Sequence, residues 1–392
     1  MPQFGHAMLA EWKLAPDIIY LNHGTVGATP RVVLETQQRL RDRMEAQPSR
    51  FMLRELLPQA GNPLPAKPLI RQAAEEVGAF LSVRGEDLAF VDNATTGINA
   101  ILQSLQFQPE DEIILFDQAY GAIAYSAQFV ARSSGAVVKT ITLPHPISDP
   151  QQVIDAVRAA ITPKTRLALI DHITSESGLL MPLKEIAELC RKSSVPVLVD
   201  GAHAPGAIAL DIPSLGVDWY VGNLHKWAYA PRGCGILWVT PERQAAVHSP
   251  VISWGFDKGL ADEFDWVGTK DPTNFLAAPT GISFMNSLGA DAVRKYNHSI
   301  AWEGAKMLCA RFGTTLHTPE SMIGTMATLP LPAKLGTTKQ ASLDLRDAIL
   351  FEEKIEAQIH AFQGNLWMRI SGQVYVEMSD LERFAEAIEK RL

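Results

Sequence analysis

The chain has 392 residues, 47% of them hydrophobic and 20% charged, with a formal net charge of −8. That length asks for two or more packed units, and the composition is globular rather than disordered or repetitive. The negative charge argues against a nucleic-acid partner, and no apolar run reaches the about 18 residues expected of a membrane span. Three cysteines, Cys190, Cys234 and Cys309, give neither a disulfide framework nor metal-ligand spacing, so no metal is expected. The opening MPQFGHAMLAEWKLAPD lacks the pattern of a signal peptide, and a soluble, cytoplasmic protein is the expectation.

From about residue 68 to 240 helical and strand patterns alternate. RQAAEEVGAFLSV is amphipathic with a helical period, DLAFVDN is a short strand, and TTGINAILQSLQ is helical. DEIILFD, AVVKTITL and TRLALIDH are strands, separated by the helices YGAIAYSAQFVARSSG and QQVIDAVRAAI. PLKEIAELCRKS starts with a proline suited to a first helical turn, and VPVLVDGAH, VDWYVGN and GILWVT are further strands. Such alternation predicts an α/β fold, a mainly parallel sheet covered by helices on both faces. WGFDKGLADEFDWVGTKDPTN has no clear period, and a long helical stretch follows over 280–313. The tail predicts strands near GTMATLPL and LWMRIS and helices at DLRDAILFEEKIEAQ and SDLERFAEAIEKRL. The expected organisation is an N-terminal segment over 1–60, a large domain over 61–280 and a small α+β domain over 281–392.

Ligands of open α/β sheets sit beyond the carboxyl ends of the strands. Polar residues recur there: Asn93-Ala94-Thr95-Thr96-Gly97, Asp117-Gln118-Ala119-Tyr120, Asp171-His172-Ile173-Thr174-Ser175, Asp200-Gly201-Ala202-His203 and Gly222-Asn223-Leu224-His225-Lys226. Helix capping explains any one of these, but less easily all five. Thr95-Thr96 fits both an N-cap and an anion cradle. No phosphate-loop or dinucleotide glycine motif competes with it. Asp200 closes a very apolar strand, where a carboxylate needs a cationic partner. Lys226 sits in aromatic and apolar company, as a Schiff-base lysine does. Arg369, in the apolar LWMRIS strand, fits a structural salt bridge or a bidentate grip on a substrate carboxylate. Together these offer what a pyridoxal 5'-phosphate site needs: a lysine, a carboxylate for the ring nitrogen and a phosphate cradle.

VDGAHAPGAIALDI followed by DWYVGNLHKW resembles the cofactor core of class V, fold-type I pyridoxal-phosphate enzymes. YLNHGTVGATP (20–30), PSRFMLREL (48–56), VGTKDPTNF (267–275) and RISGQVYVEMSD (369–380) resemble the isopenicillin N epimerase-like branch. The resemblance implies a three-layer αβα large domain in which Lys226 anchors the cofactor and Asp200 pairs with its pyridine nitrogen. It puts Thr95 and Thr96 on the phosphate with His225 and Asn223, His203 and Ser175 near the ring hydroxyl, and Tyr120 or His172 near the ring face. Gly268 and Thr269 would reach the phosphate of a neighbouring subunit, implying a homodimer. Arg369 would hold the amino-acid carboxylate, with Asn22 and His23 lining the substrate side. The branch often has Tyr-Asn where this chain has Tyr375-Val376, and the desulfurase loop with its catalytic cysteine has no counterpart. Epimerisation at Cα is the leading expectation, with Tyr120, His23 or a water as second acid. Transamination and C–S lysis are the alternatives. A non-catalytic relative would have lost Lys226 or Asp200, and neither is lost.

Overall fold

The computed structural model describes residues 3–57, 67–144 and 146–392; the expected boundary at 60/61 lies outside them. Its strands in chain order are β1 (Ile19–Tyr20), β2 (Leu88–Val91), β3 (Glu112–Phe116), β4 (Val137–Ile141), β5 (Thr165–Asp171) and β6 (Val197–Gly201). They continue as β7 (Trp219–Asn223), β8 (Gly235–Val239), β9 (Met326–Pro330), β10 (Ile355–Glu356), β11 (Gln358–Phe362) and β12 (Asn365–Ser371).

Seven strands form the main sheet in the order β2-β8-β7-β6-β5-β3-β4. β7, β6, β5, β3 and β4 run parallel, whereas β8 is antiparallel to both its neighbours. β6, β7 and β8 are buried along their whole length, as near-continuous apolar strands covered on both faces should be. The Leu69–Phe80, Pro150–Ala160 and Leu183–Lys192 helices pack on one face. Ala94–Ser104, Gly121–Ser134 and Leu260–Asp265 cover the other. Register pairs Asp171 with Asp200 and Gly201 with Gly222, so β5, β6 and β7 deliver their ends to one edge. β4 lies on one side of β3 and β5 on the other, which makes that edge a topological switch point.

A second core joins the chain ends. Met8, Trp12 and Leu21 pack with Val293, Leu308, Met368 and Phe384, around the three-stranded sheet β11-β12-β9. β1 pairs with β10 in parallel, Ile19 against Ile355.

Two helix expectations need correction. The single helix over 280–313 is two, Ala278–Ser287 and Ala290–Phe312, separated at Gly289 with φ 82°. The 344–358 helix is Lys339–Glu353 and ends at Lys354, whose φ of 61° is left-handed. Beyond it Ile355, Ala357 and Ile359 are buried alternately, a period of two that makes β10 and β11 strands. Among the described residues no helix is long and apolar enough to cross a membrane.

Candidate active site

The carboxyl edge of the main sheet encloses a cavity of about 470 Å3. Lys226 enters it from a single helical turn, Leu224–Trp227, that follows β7 directly. Its Nζ lies 3.0 Å from His203 Nε2. Burial and the Arg369 charge lower the lysine pKa to about 7, with Asp200 opposing the shift. An amine with a pKa this low has a substantial neutral fraction near neutral pH, available as nucleophile or base.

The backbone of Lys226 is held from behind. Its carbonyl can only accept, so His23 Nε2 carries the proton and donates to it at 2.7 Å. His23 Nδ1 then accepts from the Tyr375 hydroxyl at 2.8 Å. Burial lowers the His23 pKa to about 4, keeping this ring neutral. Trp227 packs on the His23 ring at 5.0 Å, and Trp12 meets Tyr375 edge-on. Gly27, with φ 69°, lets the N-terminal segment pass so close that a Cβ there would overlap the His225 carbonyl oxygen.

Asp200 is buried at the end of β6 and accepts from Ala202 N–H at 3.0 Å. Burial raises its pKa, against the lowering effects of that bond and of Lys226. Asp171, its register partner on β5, faces the same cavity. His203 stays neutral because burial and the nearby cations push its pKa well down.

Asn93 caps the Ala94–Ser104 helix, its side chain accepting from Thr96 N–H at 3.0 Å. Asn223 Oδ1 accepts from Ala94 N–H at 2.8 Å and ties that helix to β7. Thr95 N–H and its hydroxyl find no partner among the described residues, so the helix start presents free donors to the cavity. His225 donates through Nδ1 to the Cys234 carbonyl at 3.0 Å, and burial lowers its pKa to about 4.

Arg369 is 2% exposed and pairs with no carboxylate among the described residues. It donates to the Ser175 carbonyl, to Thr25 Oγ1 at 2.7 Å and to Asn22 Oδ1 at 3.2 Å, while its Nε is unpartnered. Burial lowers its pKa to about 10. The structural salt bridge considered from sequence is not formed; Glu176 and Tyr20 support the buried cation only at longer range.

Thr95, Thr96 and Tyr120 therefore share one cavity with Ser175, Asp200 and His203, and Asn223, His225 and Lys226 complete it. Asn22, His23 and Arg369 form a layer just behind. Two expectations need correction. His172 does not line the cavity: alternation along the chain turns it away, and its Nδ1 bonds the Tyr220 hydroxyl at 2.7 Å. His23 has both ring nitrogens engaged, so it is a clamp on Lys226 and not a free acid. Gly268 and Thr269, expected in a neighbouring subunit's site, are exposed and stand outside the cavity of their own chain. Thr25, Asp171 and Tyr375 were given no role from sequence; only Asp171, at a strand end, carried a signal there.

A phosphorylated pyridine aldehyde fits these donors. The free first-turn groups suit a phosphate, and Asp200 suits a ring nitrogen. His203 Nδ1, buried and unpartnered, awaits a polar group. The three cysteines are buried, and burial raises each thiol pKa, so none is placed as a nucleophile.

Residues 19–330 match the aminotransferase class-V family. A probable chloroplastic L-cysteine desulfhydrase of Arabidopsis thaliana is 32% identical over 95% of this chain and 82% of its own length. An isopenicillin N epimerase of Streptomyces clavuligerus is 31% identical over 97% of this chain and 98% of its own. In fold, the apo structure of a cysteine desulfurase from Thermococcus onnurineus NA1 superposes with a TM-score of 0.81 at 16% identity, covering 100% of this chain and 98% of that one.

Proposed function

Since this chain belongs to the class V aminotransferase family, we propose that it is a pyridoxal 5'-phosphate enzyme that inverts the configuration at Cα of an amino acid or an amino-acid-containing substrate. One observation carries the reading: a lysine of lowered pKa and a buried carboxylate share one cavity, with a buried arginine that forms no salt bridge just behind it. When bound, pyridoxal phosphate supplies an aldehyde that links amines covalently and a protonated ring that draws electrons from Cα.

The chain's own groups do the rest. Thr95 and Thr96 hold the phosphate through the start of their helix, with Asn223 fixing that helix and His225 beside it. Asp200 accepts from the ring N–H and keeps that proton in place. His203 and Ser175 would hold the ring hydroxyl, and Tyr120 the ring face. Arg369 receives the substrate carboxylate, with Thr25 and Asn22 fixing the guanidinium plane. Lys226 would take the Cα proton, and its pKa near 7 suits a base at neutral pH. Inversion needs a second proton donor on the opposite side. With His23 locked, the Tyr120 hydroxyl at the cavity mouth is the side chain left from the sequence-based candidates.

A second reading, loss of a β-thiolate, is favoured by that same locking of His23, because it needs only one base. Relatives bearing both names are about equally similar.

The active unit is a homodimer in which Gly268 and Thr269 complete the partner's phosphate site. Two observations support this: both residues are exposed, and Trp254, Phe129 and Tyr125 are 79%, 68% and 71% exposed large apolar side chains.

The test is direct. Purified protein given pyridoxal phosphate should gain a near-visible absorption band that borohydride fixes, and Lys226→Ala should gain none. A protein that takes up no cofactor would refute the reading. Incubation with an amino-acid panel in deuterated water then separates the outcomes. Deuterium at an inverted Cα identifies the epimerase, a keto acid the transaminase, and pyruvate with a sulfur product the lyase.

A further inference from the structure

Asp171 and Asp200 are register partners at the carboxyl ends of adjacent parallel strands. Neighbouring strands lie about 4.8 Å apart, and register-paired side chains point to the same face. Both residues line the cavity, and they are 4% and 5% exposed. Their surroundings differ. Asp200 accepts from Ala202 N–H and feels Lys226, whereas Asp171 has only its own backbone N–H, with no cation or side-chain donor bonded to it among the described residues. Two carboxylates this close in a dry setting cannot both ionise freely, and the proton stays on the one with less support.

We propose that Asp171 is a positioning residue of the cofactor site, a neutral carboxylic acid that leaves Asp200 as the one negative group of the pair facing the ring nitrogen. Asp200's role in this statement rests on the cofactor reading above; the protonation asymmetry does not. One ionised carboxylate fixes a ring nitrogen at a single point, whereas two would draw it between them. Burial and the Asp200 charge act in the same direction, raising the Asp171 pKa well above the ordinary range. The other ionisable groups around the pair are Asp117 just past β3, His172 and Tyr220 beside it, and His203, His225, Lys226 and Arg369 across the cavity. His172, His203 and His225 are neutral because burial lowers their pKa values, so the histidines supply no compensating cation.

The sign follows from linkage. A carboxyl whose folded pKa is raised keeps a proton that the unfolded chain has lost, so stability falls as pH climbs above the unfolded value near 3.9. Asp171→Asn removes that penalty. In the cofactor-free protein it should unfold with wild type at about pH 4 and at a clearly higher temperature by about pH 8. In an Asp200→Asn background that gain should shrink, because the neighbouring charge is gone. An equal gain in both backgrounds, or none in wild type, would overturn the pairing.

Infrared spectroscopy gives a readout that packing alone does not move. Wild type at neutral pH should show a protonated-carboxyl C=O stretch that Asp171→Asn removes, and Asp200→Asn should lower the pH at which the band titrates away. Should the asparagine variant fail to fold, Asp171→Ser provides the same subtraction. Absence of the band in wild type would sink the proposal. Cofactor uptake is read separately by absorbance: a protein that binds none would refute the proposed function and leave these outcomes to decide the pair.

Discussion

Replacing His23 with alanine tests whether the lysine is held through its backbone. The change leaves two buried groups, the Lys226 carbonyl and the Tyr375 hydroxyl, without their partner. Each orphaned group costs about 1–3 kcal/mol, so the pair should cost about 4 kcal/mol. Tyr375→Phe removes only one bond and orphans only His23 Nδ1, which should cost about 2 kcal/mol. The double variant should then fall short of the sum, because the His23–Tyr375 bond is counted in both singles. Urea unfolding of the cofactor-free protein followed by tryptophan fluorescence reads this directly, since Trp227 and Trp12 lie against the triad. His23→Ala should also slow attachment of pyridoxal phosphate, because the amine's backbone is no longer fixed. A cost for His23→Ala below about 1 kcal/mol, or equal costs for the two single changes, would refute the clamp.

Other outcomes follow from the same geometry. Arg369→Met should lower kcat/KM by about a hundredfold or more, through loss of a charge-assisted grip on the carboxylate, while cofactor uptake persists. In that variant the pKa of Lys226 should rise, since Arg369 is one of the charges lowering it, and the acid limb of cofactor attachment should move to higher pH. Lys226 carries a lowered folded pKa of about 7, so its ammonium burdens the fold fully below that pH and not at all above the unfolded value near 10.4. Lys226→Met should therefore stabilise the cofactor-free protein most at and below neutral pH, with the gain fading toward alkaline pH in a thermal scan. Gly27→Ala, at φ 69° and against the His225 carbonyl, should lose more than about 1 kcal/mol in urea unfolding.

The main sheet was legible because its strands are short apolar runs punctuated by turn residues, and because parallel strands place their ends together. Lys226, Asp200 and Thr95-Thr96 could be found as strand-end residues before any contact was known. His23 could not be placed that way, since its two partners lie 203 and 352 positions along the chain. His172 was misassigned because strand-end position alone does not say which face a residue takes; Asp171 and His172 differ by one step and point oppositely. β10 and the first residue of β11 fall in the expected helix because IEAQ continues a good helix-forming stretch, and only the left-handed Lys354 and burial of alternate residues decide against it. Arg369 left two readings open from sequence, and only the absence of a salt bridge among the described residues counts against the structural one.

The union of the chain's two ends has a consequence for how the protein is made. Ile19 and Tyr20 pair with Ile355 and Glu356, Gly24 N–H donates to Ser371 Oγ at 3.1 Å, and His23 reaches both Tyr375 and Lys226. The lysine loop and its sheet are synthesised long before residue 375 emerges, yet the clamp needs residues from both ends. A growing chain can therefore build the cofactor's cradle while its lysine is still unsecured. Closure of that clamp therefore waits until translation has passed residue 375.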